Sequence, residues 1–310
     1  MANITAGMVK ELREMTGAGM MDCKNVLVEA DGDMDKAVEL LREKGLAKAA
    51  KKAGRVAAEG LVKLAFSDDA KKAAVIEVNS ETDFVAKNDE FVDFVQTLAN
   101  MAIDAEPDMD KFMQLQYTDE GTVQEALNNK IAKIGENMNI RRFANFSQPG
   151  CVYVGYVHGA GKIGVIVGLE TEASAAEVEV VGKDVAMQVA ALKPLYTSDS
   201  EVSAEYIEHE KEILMAQIQN DPKESQKPEK VIQGMITGRI KKELKEICLL
   251  DQIYVKAEDG KQSVGNYVAQ VAKENGAKIT IKGFVRYETG DGIEKKEENF
   301  AEEVAKQMGK

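Results

Sequence analysis

The sequence predicts an α+β fold in which a small sheet packed with helices occurs twice. Apolar residues follow helical spacing up to about residue 45 and strand spacing from about residue 59. The order strand, strand, helix, helix, strand then occurs in residues 59–148 and again from residue 149 onward. Similar segments, such as KAAVIEVNSETD and KIGVIVGLETEA, indicate an internal duplication. Short turns join the first two strands of each copy, so both sheets are expected to be antiparallel.

The overall composition indicates a protein whose partners are proteins or cations. The chain has 310 residues, of which 44% are hydrophobic, enough for two or more cores. Its formal net charge is −13, whereas nonspecific binding to nucleic acid or anionic membrane requires a basic face. No apolar run of about 18 residues occurs, so no membrane span is predicted. The start MANITAGMVKELREMTG lacks the regions of a signal peptide, which predicts a cytoplasmic location.

Residues that usually carry enzyme chemistry are sparse. Cys23, Cys151 and Cys248 are widely spaced without a CxxC pair, which predicts reduced thiols, with no disulfide framework and no zinc site. His158 and His209 are far apart, and the HExxH, GxSxG and P-loop motifs are missing. The sequence therefore predicts no cofactor, no metal site and no catalytic residue, although catalysis by carboxylates stays open.

Residues 1–45 are predicted to form a small unit of three helices. Thr5 is suited to cap the first helix, and the second runs from about Met20 to Ala30. Asp33 is predicted to cap the third helix, and Gly45 is predicted to end it as a residue just beyond the C-terminus. So few residues bury only a small core, which is typical of a docking module.

Residues 46–58 begin with the basic, alanine-rich segment LAKAAKKAGR. The segment is interpreted as a mobile or helical linker. A polybasic arm that binds nucleic acid is the alternative, but the run is short and the whole chain is acidic.

Residues 59–148 are predicted to form the first core unit. Two strands, GLVKLAFS and KAAVIEVN, are followed by a helix for which Asn88 is the expected N-cap. The connection NSETDFVAKNDEF places Phe84 on a segment that should be polar. Phe84 either folds back as a staple onto the helix or contacts a partner. The corresponding segment of the second copy, LETEAS, has no aromatic residue, which indicates that the fold does not require one.

Residues 149–195 and 251–288 are predicted to form the second core unit. Its first two strands are joined by GAGK, so that GAGKIG matches the dinucleotide motif GxGxxG. That motif requires a helix directly after the glycines, whereas the strand VIVGLE follows here. We therefore expect a hairpin turn in which the glycines adopt positive φ. His158, at the end of the preceding strand, is interpreted as a structural or contact residue because no catalytic partner is evident.

Residues 196–250 form an insertion in the second copy and are predicted to be an antiparallel helical hairpin. Two helical segments flank NDPKESQKPEK, and the second has a narrow apolar stripe. The stripe consists of Ile232, Ile236, Ile240, Leu244 and Ile247. Residues 289–310 are predicted to form a charged C-terminal helix anchored by Phe300 and Val304.

Several long motifs together make the chain resemble the bacterial elongation factor Ts family. These are VKELREMTGAGMMDCKNVLVEADGDMDKAVELLREKG, ETDFVAKNDEF with its preceding strand, HGAGKIGVIV, DVAMQVAALKP and GFVRYETGDGIEKKEENFAEEVA. The resemblance covers nearly the whole chain and is weakest in residues 196–230. It implies a ubiquitin-associated-like domain at residues 1–45, two related core subdomains, a coiled-coil hairpin and a C-terminal helical module.

The resemblance also implies a function. Members of this family are guanine nucleotide exchange factors that bind elongation factor Tu, both with GDP and without nucleotide, and promote GDP release until GTP binds. That function requires no covalent chemistry and no cofactor. Residues carried over for dislocating Mg²⁺ from the partner GTPase are Thr82, Asp83, Phe84 and Val85. Residues carried over for partner binding are Arg13, Met20, Met21, His158, Gly159 and Ile163.

Other interpretations remain for several of these features. Met20 and Met21 could belong to a core, although adjacent helical positions cannot both point inward. The hairpin could serve self-association or partner contact, or could be a solvated arm. The protein as a whole could be a different acidic adaptor, or an enzyme with a carboxylate site that sequence does not reveal.

Overall fold

The computed structural model describes residues 4–16, 18–118 and 121–294, which form a mixture of helices and small sheets in two compact units. One unit contains the described residues up to Lys63, Val75–Asn145 and those from Tyr287 onward. The other contains Leu64–Ala74 and Phe146–Arg286. The α+β class predicted from the sequence is confirmed.

Three helices make up the N-terminal part, namely α1 (Ala6–Thr16), α2 (Met20–Glu29) and α3 (Met34–Lys52). The Thr5 hydroxyl accepts a hydrogen bond from the N–H of Met8 at 3.3 Å, and Asp33 accepts one from Lys36 at 3.0 Å. Both predicted caps are thus confirmed. The buried core comprises Leu12, Cys23, Val26, Leu27, Ala30 and Ala37.

Gly45 does not end α3, so that prediction is wrong. The helix continues to Lys52 through most of the basic segment, whose helical interpretation is therefore the correct one. A terminating glycine would have a positive φ, but Gly45 is buried inside the helix, where its Cα faces Ala132. Only a small residue fits between the two helices at this point, and the alanines that follow favour continued helix.

The first sheet has the order β1-β2-β3, and its middle strand is buried along its entire length. Helix α5 has the buried apolar face predicted from the sequence, which includes Phe91, Phe94 and Leu98. The elements are β1 (Glu59–Phe66), β2 (Ala73–Ser80), α4 (Asp83–Ala86), α5 (Asp89–Ala102), α6 (Met109–Met113), α7 (Val123–Ile134) and β3 (Met138–Phe146). The short helices α4 and α6 lie in segments that the sequence pattern did not assign to a helix.

The second sheet has the order β4-β5-β6, and β4 pairs antiparallel with β5. Its core includes Val165, Val167 and Leu169 of the middle strand and apolar residues of the helix that follows. The elements are β4 (Cys151–His158), β5 (Ile163–Thr171), α8 (Ala175–Leu192), α9 (Ala204–Asn220), α10 (Glu229–Ile247), α11 (Val264–Glu274) and β6 (Ile279–Glu288). The strand and helix order predicted for both copies is confirmed.

The predicted insertion folds as two helices, α9 and α10, that pack together. Tyr206 near the start of α9 donates a hydrogen bond to Glu243 near the end of α10 at 2.6 Å, so the two helices are antiparallel. Their shared buried residues are Leu214, Ile218, Ile236 and Ile240. Most of the predicted stripe on α10 therefore faces its partner helix.

Among the described residues, no helix is long and apolar enough to cross a membrane. The predicted C-terminal helix is described only through residue 294, so Phe300 and Val304 lie outside the described residues.

Candidate functional site

The connection between β2 and α5 contains the one-turn helix α4. A side chain caps the start of α4, and another caps the start of α5 directly afterward. The Thr82 hydroxyl, at the N-cap of α4, accepts a hydrogen bond from the N–H of Val85 at 3.4 Å. Asn88 caps α5 by accepting one from the N–H of Phe91 at 3.3 Å, which confirms the predicted cap. Both side chains satisfy N–H groups that the start of a helix leaves unpaired. The chain therefore turns sharply here without losing backbone hydrogen bonding.

Phe84 and Val85 lie on opposite sides of this turn. The Phe84 side chain is 79% exposed, so the interpretation that it staples onto α5 is wrong. Val85 is only 7% exposed. The resemblance places it at the tip of the turn, but its side chain is buried and contributes to holding the turn in place. Asp83 pairs with Lys87 at 2.6 Å, one helical turn further along. The exposed surface of the turn thus combines an aromatic ring with an adjacent carboxylate.

Thr82 is also held by the connection between α7 and β3. The carboxylate of Glu136 accepts the N–H of Thr82 at 3.0 Å and its hydroxyl at 2.7 Å. Beside this pair, the Glu81 carboxylate accepts the N–H of Asn137 at 2.5 Å. The Asn137 side chain then donates to the carbonyl of Arg55 at 2.7 Å. Two adjacent residues at the base of the turn are therefore bonded to two adjacent residues of another connection.

Nothing in the local sequence pattern identifies Glu136 as part of the site. It follows Gly135, which ends α7 with a φ of 90°, and it precedes β3. Because β3 is the neighbour of β2 in the sheet, the start of β3 can lie beside the end of β2. In the sequence, Glu136 is an acidic residue between a helix-terminating glycine and a strand. That pattern identifies a loop, but it does not show that the carboxylate binds Thr82.

The N-terminal helices present an apolar surface that includes the predicted contact residues. Met20 is 58% exposed, Met21 is 64% exposed, and Arg13 is also exposed. Both methionines therefore lie outside the core, and the core interpretation is wrong. Met15 at 63% and Val28 at 55% are further exposed apolar residues of these helices and were not predicted as contacts.

A groove of about 470 Å³ lies within the same unit, and ion pairs occupy its charged lining. Lys48 pairs with Asp22 at 2.8 Å, while Lys130 and Lys133 both pair with Glu90, at 3.1 and 2.9 Å. Burial opposes ionisation of Glu90, but its hydrogen bonds from the two lysines hold the pKa of this carboxyl below its usual range. These pairs join elements of the unit, and their geometry is that of structural contacts.

The remaining predicted contact residues surround the turn between β4 and β5, in the other unit. His158 and Ile163 are direct partners in the strand register, and Nδ1 of His158 is 2.9 Å from the hydroxyl of Tyr156. His158 and Gly159 are exposed, whereas Ile163 is partly buried against the core of the sheet. Ile163 therefore contributes to packing and offers only part of its side chain to a partner.

The GAGK segment is a hairpin turn, as predicted. Gly159 has a φ of 62° and Gly161 a φ of 98°, and Ala160 between them has a φ of 55°. Strand β5 begins directly afterward, so the segment has no helix N-terminus for a pyrophosphate. The match to GxGxxG therefore arises from turn geometry.

The three cysteines are free and buried. Burial raises the pKa of the Cys23 and Cys151 thiols, and it raises that of Cys248 to about 11. All three are therefore protonated near neutral pH and are poor nucleophiles. Among residues 4–16, 18–118 and 121–294, no group of three or more His, Cys, Asp or Glu side chains could hold a metal ion.

Comparison with known proteins identifies relatives along almost the whole chain. The family model described as "Elongation factor TS" matches residues 81–291. Elongation factor Ts of Clostridioides difficile (strain 630) is 57% identical over 309 residues, covering 99% of this chain and 100% of the relative. Elongation factor Ts of Clostridium perfringens (strain SM101 / Type A) is 54% identical over 308 residues, covering 99% and 100%. That of Clostridium botulinum (strain Eklund 17B / Type B) is 51% identical with the same coverage. On these matches, the chain belongs to the elongation factor Ts family of translation elongation factors.

Proposed function

We propose that the protein is a guanine nucleotide exchange factor that binds elongation factor Tu and promotes GDP release until GTP binds. The observation that carries this proposal is the 79% exposure of the Phe84 ring on a turn that is capped and hydrogen bonded beneath it. Exposing an apolar ring to water is unfavourable, and connecting β2 to α5 does not require one. Membership of the elongation factor Ts family supports elongation factor Tu as the partner.

In the proposed mechanism the partner's own nucleotide site is disturbed mechanically and electrostatically. Phe84 enters between helices beside the bound GDP, and Asp83 brings a carboxylate close to the same region. Mg²⁺ normally bridges the phosphates and the protein, so phosphate binding weakens once the ion is displaced. Thr82 and Val85 support the turn that carries the ring. No covalent bond is formed or broken, and the protein is therefore not an enzyme in the chemical sense.

Two further surfaces are proposed to dock the partner. Arg13, Met20 and Met21 form one, where flexible methionine side chains can adapt to an irregular helical surface. His158 and Gly159, with the exposed part of Ile163, form the other at the β4–β5 turn. These contacts would supply affinity, while the turn at Phe84 would supply the change in nucleotide binding.

Thermodynamic linkage states what such a factor must do. It has to bind the nucleotide-free GTPase more tightly than the GDP-bound one, and its binding then lowers GDP affinity by the same factor. A protein that bound both states equally would not shift the equilibrium. The ring should therefore contribute more to exchange than to docking.

The same proposal gives each segment of the chain a role. Residues 1–45 would be the ubiquitin-associated-like docking domain, joined by the linker 46–58 to the core subdomains 59–148 and 149–195 with 251–288. The coiled-coil hairpin 196–250 would serve self-association or partner contact, and residues 289–310 would be the C-terminal module. We propose a cytoplasmic location and no direct binding to nucleic acid or membrane.

Release of a fluorescent GDP analogue from elongation factor Tu of the same organism tests the function. The wild-type protein should accelerate release, and Phe84→Ala should slow the stimulated release while retaining much of the binding to the nucleotide-free partner. A flat trace with micromolar wild-type protein would favour an adaptor function. Stimulated release that is unchanged in Phe84→Ala would remove the ring from the mechanism.

A further inference from the structure

The base of the exposed turn is fixed by a carboxylate that is distant in sequence. Glu136 lies 54 residues after Thr82, yet it accepts both the N–H and the hydroxyl of that residue, at 3.0 and 2.7 Å. The same hydroxyl oxygen accepts the N–H of Val85 at 3.4 Å. Thr82 thus links Glu136 directly to the backbone of α4.

Helix α4 needs such support because it has only four residues. A single turn of helix is not stable alone, since too few hydrogen bonds form for the dihedral angles that become fixed. Val85 and Ala86 are buried beneath the turn, whereas Phe84 is exposed and receives little packing that could orient it. The direction of the Phe84 ring therefore depends on the orientation of the α4 backbone, which begins at Thr82.

A neighbouring pair of residues strengthens the same connection. The Glu81 carboxylate accepts the N–H of Asn137 at 2.5 Å, and the guanidinium of Arg55 lies 3.5 Å from that carboxylate. Glu81 and Thr82 are therefore bonded to Asn137 and Glu136 in register. The turn is attached to the α7–β3 connection by two consecutive residues rather than by one.

We propose that Glu136 is a positioning residue that holds Thr82, and through it α4, so that Phe84 is presented to the partner in one direction. The proposal rests on the exchange function proposed above and deepens it. A ring that is already oriented loses less conformational entropy when it enters a partner than one on a mobile turn. Glu136 is intermediate in exposure and has its carboxylate committed to Thr82. It acts on the partner only through that residue.

The chemistry of the pair explains why a carboxylate is required. Both groups that Thr82 directs at Glu136 are donors, and an ionised carboxylate is purely an acceptor. Glutamine has the same size but only one acceptor oxygen, so the N–H and the hydroxyl of Thr82 cannot donate to it as they do to the two carboxylate oxygens of Glu136. Glu136→Gln should therefore loosen the turn with little change in volume, and Glu136→Ala should loosen it further.

The chain provides a matched control at the other end of α7. Glu125 accepts the N–H of Thr122 at 2.7 Å and its hydroxyl at 3.2 Å, so the same two groups of a threonine donate to a glutamate there, although to a single carboxylate oxygen. That pair caps α7 and does not involve the exposed turn. Glu125→Ala thus removes the same two kinds of hydrogen bond as Glu136→Ala without acting on Thr82.

Hydrogen exchange in the free protein measures the proposed effect without any partner. The amides of Thr82 and Val85 should exchange roughly tenfold faster in Glu136→Ala than in the wild type, because hydrogen bonds of this kind contribute about one power of ten. Glu125→Ala should leave these two amides unchanged and accelerate the amide of Thr122. Equal protection of Thr82 in the wild type and in Glu136→Ala would overturn the proposal.

GDP release from elongation factor Tu tests the consequence by a double-mutant cycle. Glu136→Gln should lower the maximal stimulated rate about three- to tenfold and change the half-saturating concentration by less than about twofold. Added to Phe84→Ala, it should change the rate by less than about 1.5-fold, because Glu136 acts through the ring. A general structural defect would instead lower the stimulated release rate by the same factor in the wild-type protein and in Phe84→Ala. That result would refute the positioning role of Glu136.

The design separates failure of this inference from failure of the proposed function. If the wild-type protein releases no GDP, the exchange function fails, while hydrogen exchange still tests the attachment of the turn. If wild type and Phe84→Ala differ but Glu136→Gln equals the wild type, only the positioning role fails. Should Glu136→Ala not fold, Thr82→Val keeps the N–H and removes only the hydroxyl, and it should behave like Glu136→Gln.

Discussion

The Glu77 carboxylate, fully buried in the first sheet, accepts a hydrogen bond from Nε of Arg142 at 2.6 Å. The guanidinium of Arg142 also lies over the ring of Tyr287, with its central carbon 4.2 Å from the ring centroid. The other carboxylate oxygen of Glu77 accepts from Arg141 at 3.0 Å and from the N–H of Gly290 at 2.8 Å. The carboxylate of Glu77 has no access to solvent and is compensated by several hydrogen-bond donors, two of which are cationic side chains.

Removing one of these donors should be costly. Arg142→Met leaves Glu77 buried and only partly compensated, so we expect the free energy of unfolding to fall by about 3 kcal/mol. Urea unfolding of the wild type and the variant measures this. The matched control is Glu106→Gln, which breaks an equally short pair with Lys111 at 2.6 Å whose side chains are both more than half exposed. A surface pair contributes little, so the two variants should differ clearly; equal losses would contradict the role of burial.

At Gly45 the size of the introduced side chain should decide whether a substitution stabilises or destabilises the protein. A Cβ at this position would lie 3.8 Å from Cβ of Ala132, which is ordinary van der Waals contact. Gly45→Ala should therefore stabilise the protein by about 0.5–1 kcal/mol through helix propensity. Gly45→Leu should destabilise it by about 1–3 kcal/mol through overpacking of α3 against α7.

Gly234 in α10 is the control for this pair, because a Cβ there would meet no atom within 4 Å. Gly234→Leu should be neutral or stabilising, whereas Gly45→Leu should lower the melting temperature. If both leucine variants behaved alike, close packing would not be the reason for Gly45.

The elements that sequence predicted well are those determined by neighbouring residues. Thr5, Asp33 and Asn88 were identified as caps because a short polar side chain precedes an apolar run of helical period. Gly45 was misread because a glycine after a helical run is typical both of a helix end and of close contact with another helix. Only the position of Ala132, which no local pattern encodes, distinguishes the two.

The candidate site likewise has features that the sequence predicts and features that depend on residues distant in sequence. The resemblance located Phe84, and the duplicated segment without an aromatic residue indicated that the fold did not need it. Exposure of Phe84 and burial of Val85 required the structure, since both are apolar neighbours on one turn. Glu136 could not be found because its bond to Thr82 depends on strand register across 54 residues.

Asp184 in α8 leads to a prediction about pH. Its carboxylate accepts hydrogen bonds from Lys256 and from the hydroxyl of Tyr267, both at 2.6 Å, while Tyr254 stacks on Tyr267 with centroids 4.2 Å apart. Burial opposes ionisation, but the hydrogen bonds from Lys256 and Tyr267 outweigh it and lower the pKa of Asp184. A depressed pKa in the folded state stabilises the protein above the unfolded value of about 3.9, and this contribution is lost as pH falls through the folded pKa.

Asp184→Asn should therefore lower the free energy of unfolding by about 1–3 kcal/mol at pH 7. The difference from the wild type should shrink as pH falls below about 4, because Asp184 of the unfolded wild-type chain then binds a proton and Asp184 of the folded chain does so at a still lower pH. Thermal unfolding of both proteins between pH 7 and pH 3 measures the difference. A difference that stays constant over this range would mean that the charge of Asp184 does not contribute.

Phe84 and Phe91 are seven positions apart in sequence and have opposite environments. Phe84 is 79% exposed on α4, and Phe91 is fully buried in α5. Phe91→Ala should destabilise the protein by about 3–5 kcal/mol, since it opens a cavity in the first core. Phe84→Ala should change the free energy of unfolding by less than about 0.5 kcal/mol, as expected for a surface substitution. Urea unfolding of the two variants and the wild type measures both values.

The comparison also decides what the functional result means. If Phe84→Ala is as stable as the wild type and yet slows GDP release, the ring acts on the partner and not on the fold. If it destabilises the protein as much as Phe91→Ala, the ring packs against α5 in solution, and slow release would then reflect a damaged core. Phe84→Leu separates bulk from aromatic shape, because it keeps an apolar side chain of similar reach. Release intermediate between wild type and Phe84→Ala would show that the partner's helices respond to the volume inserted between them.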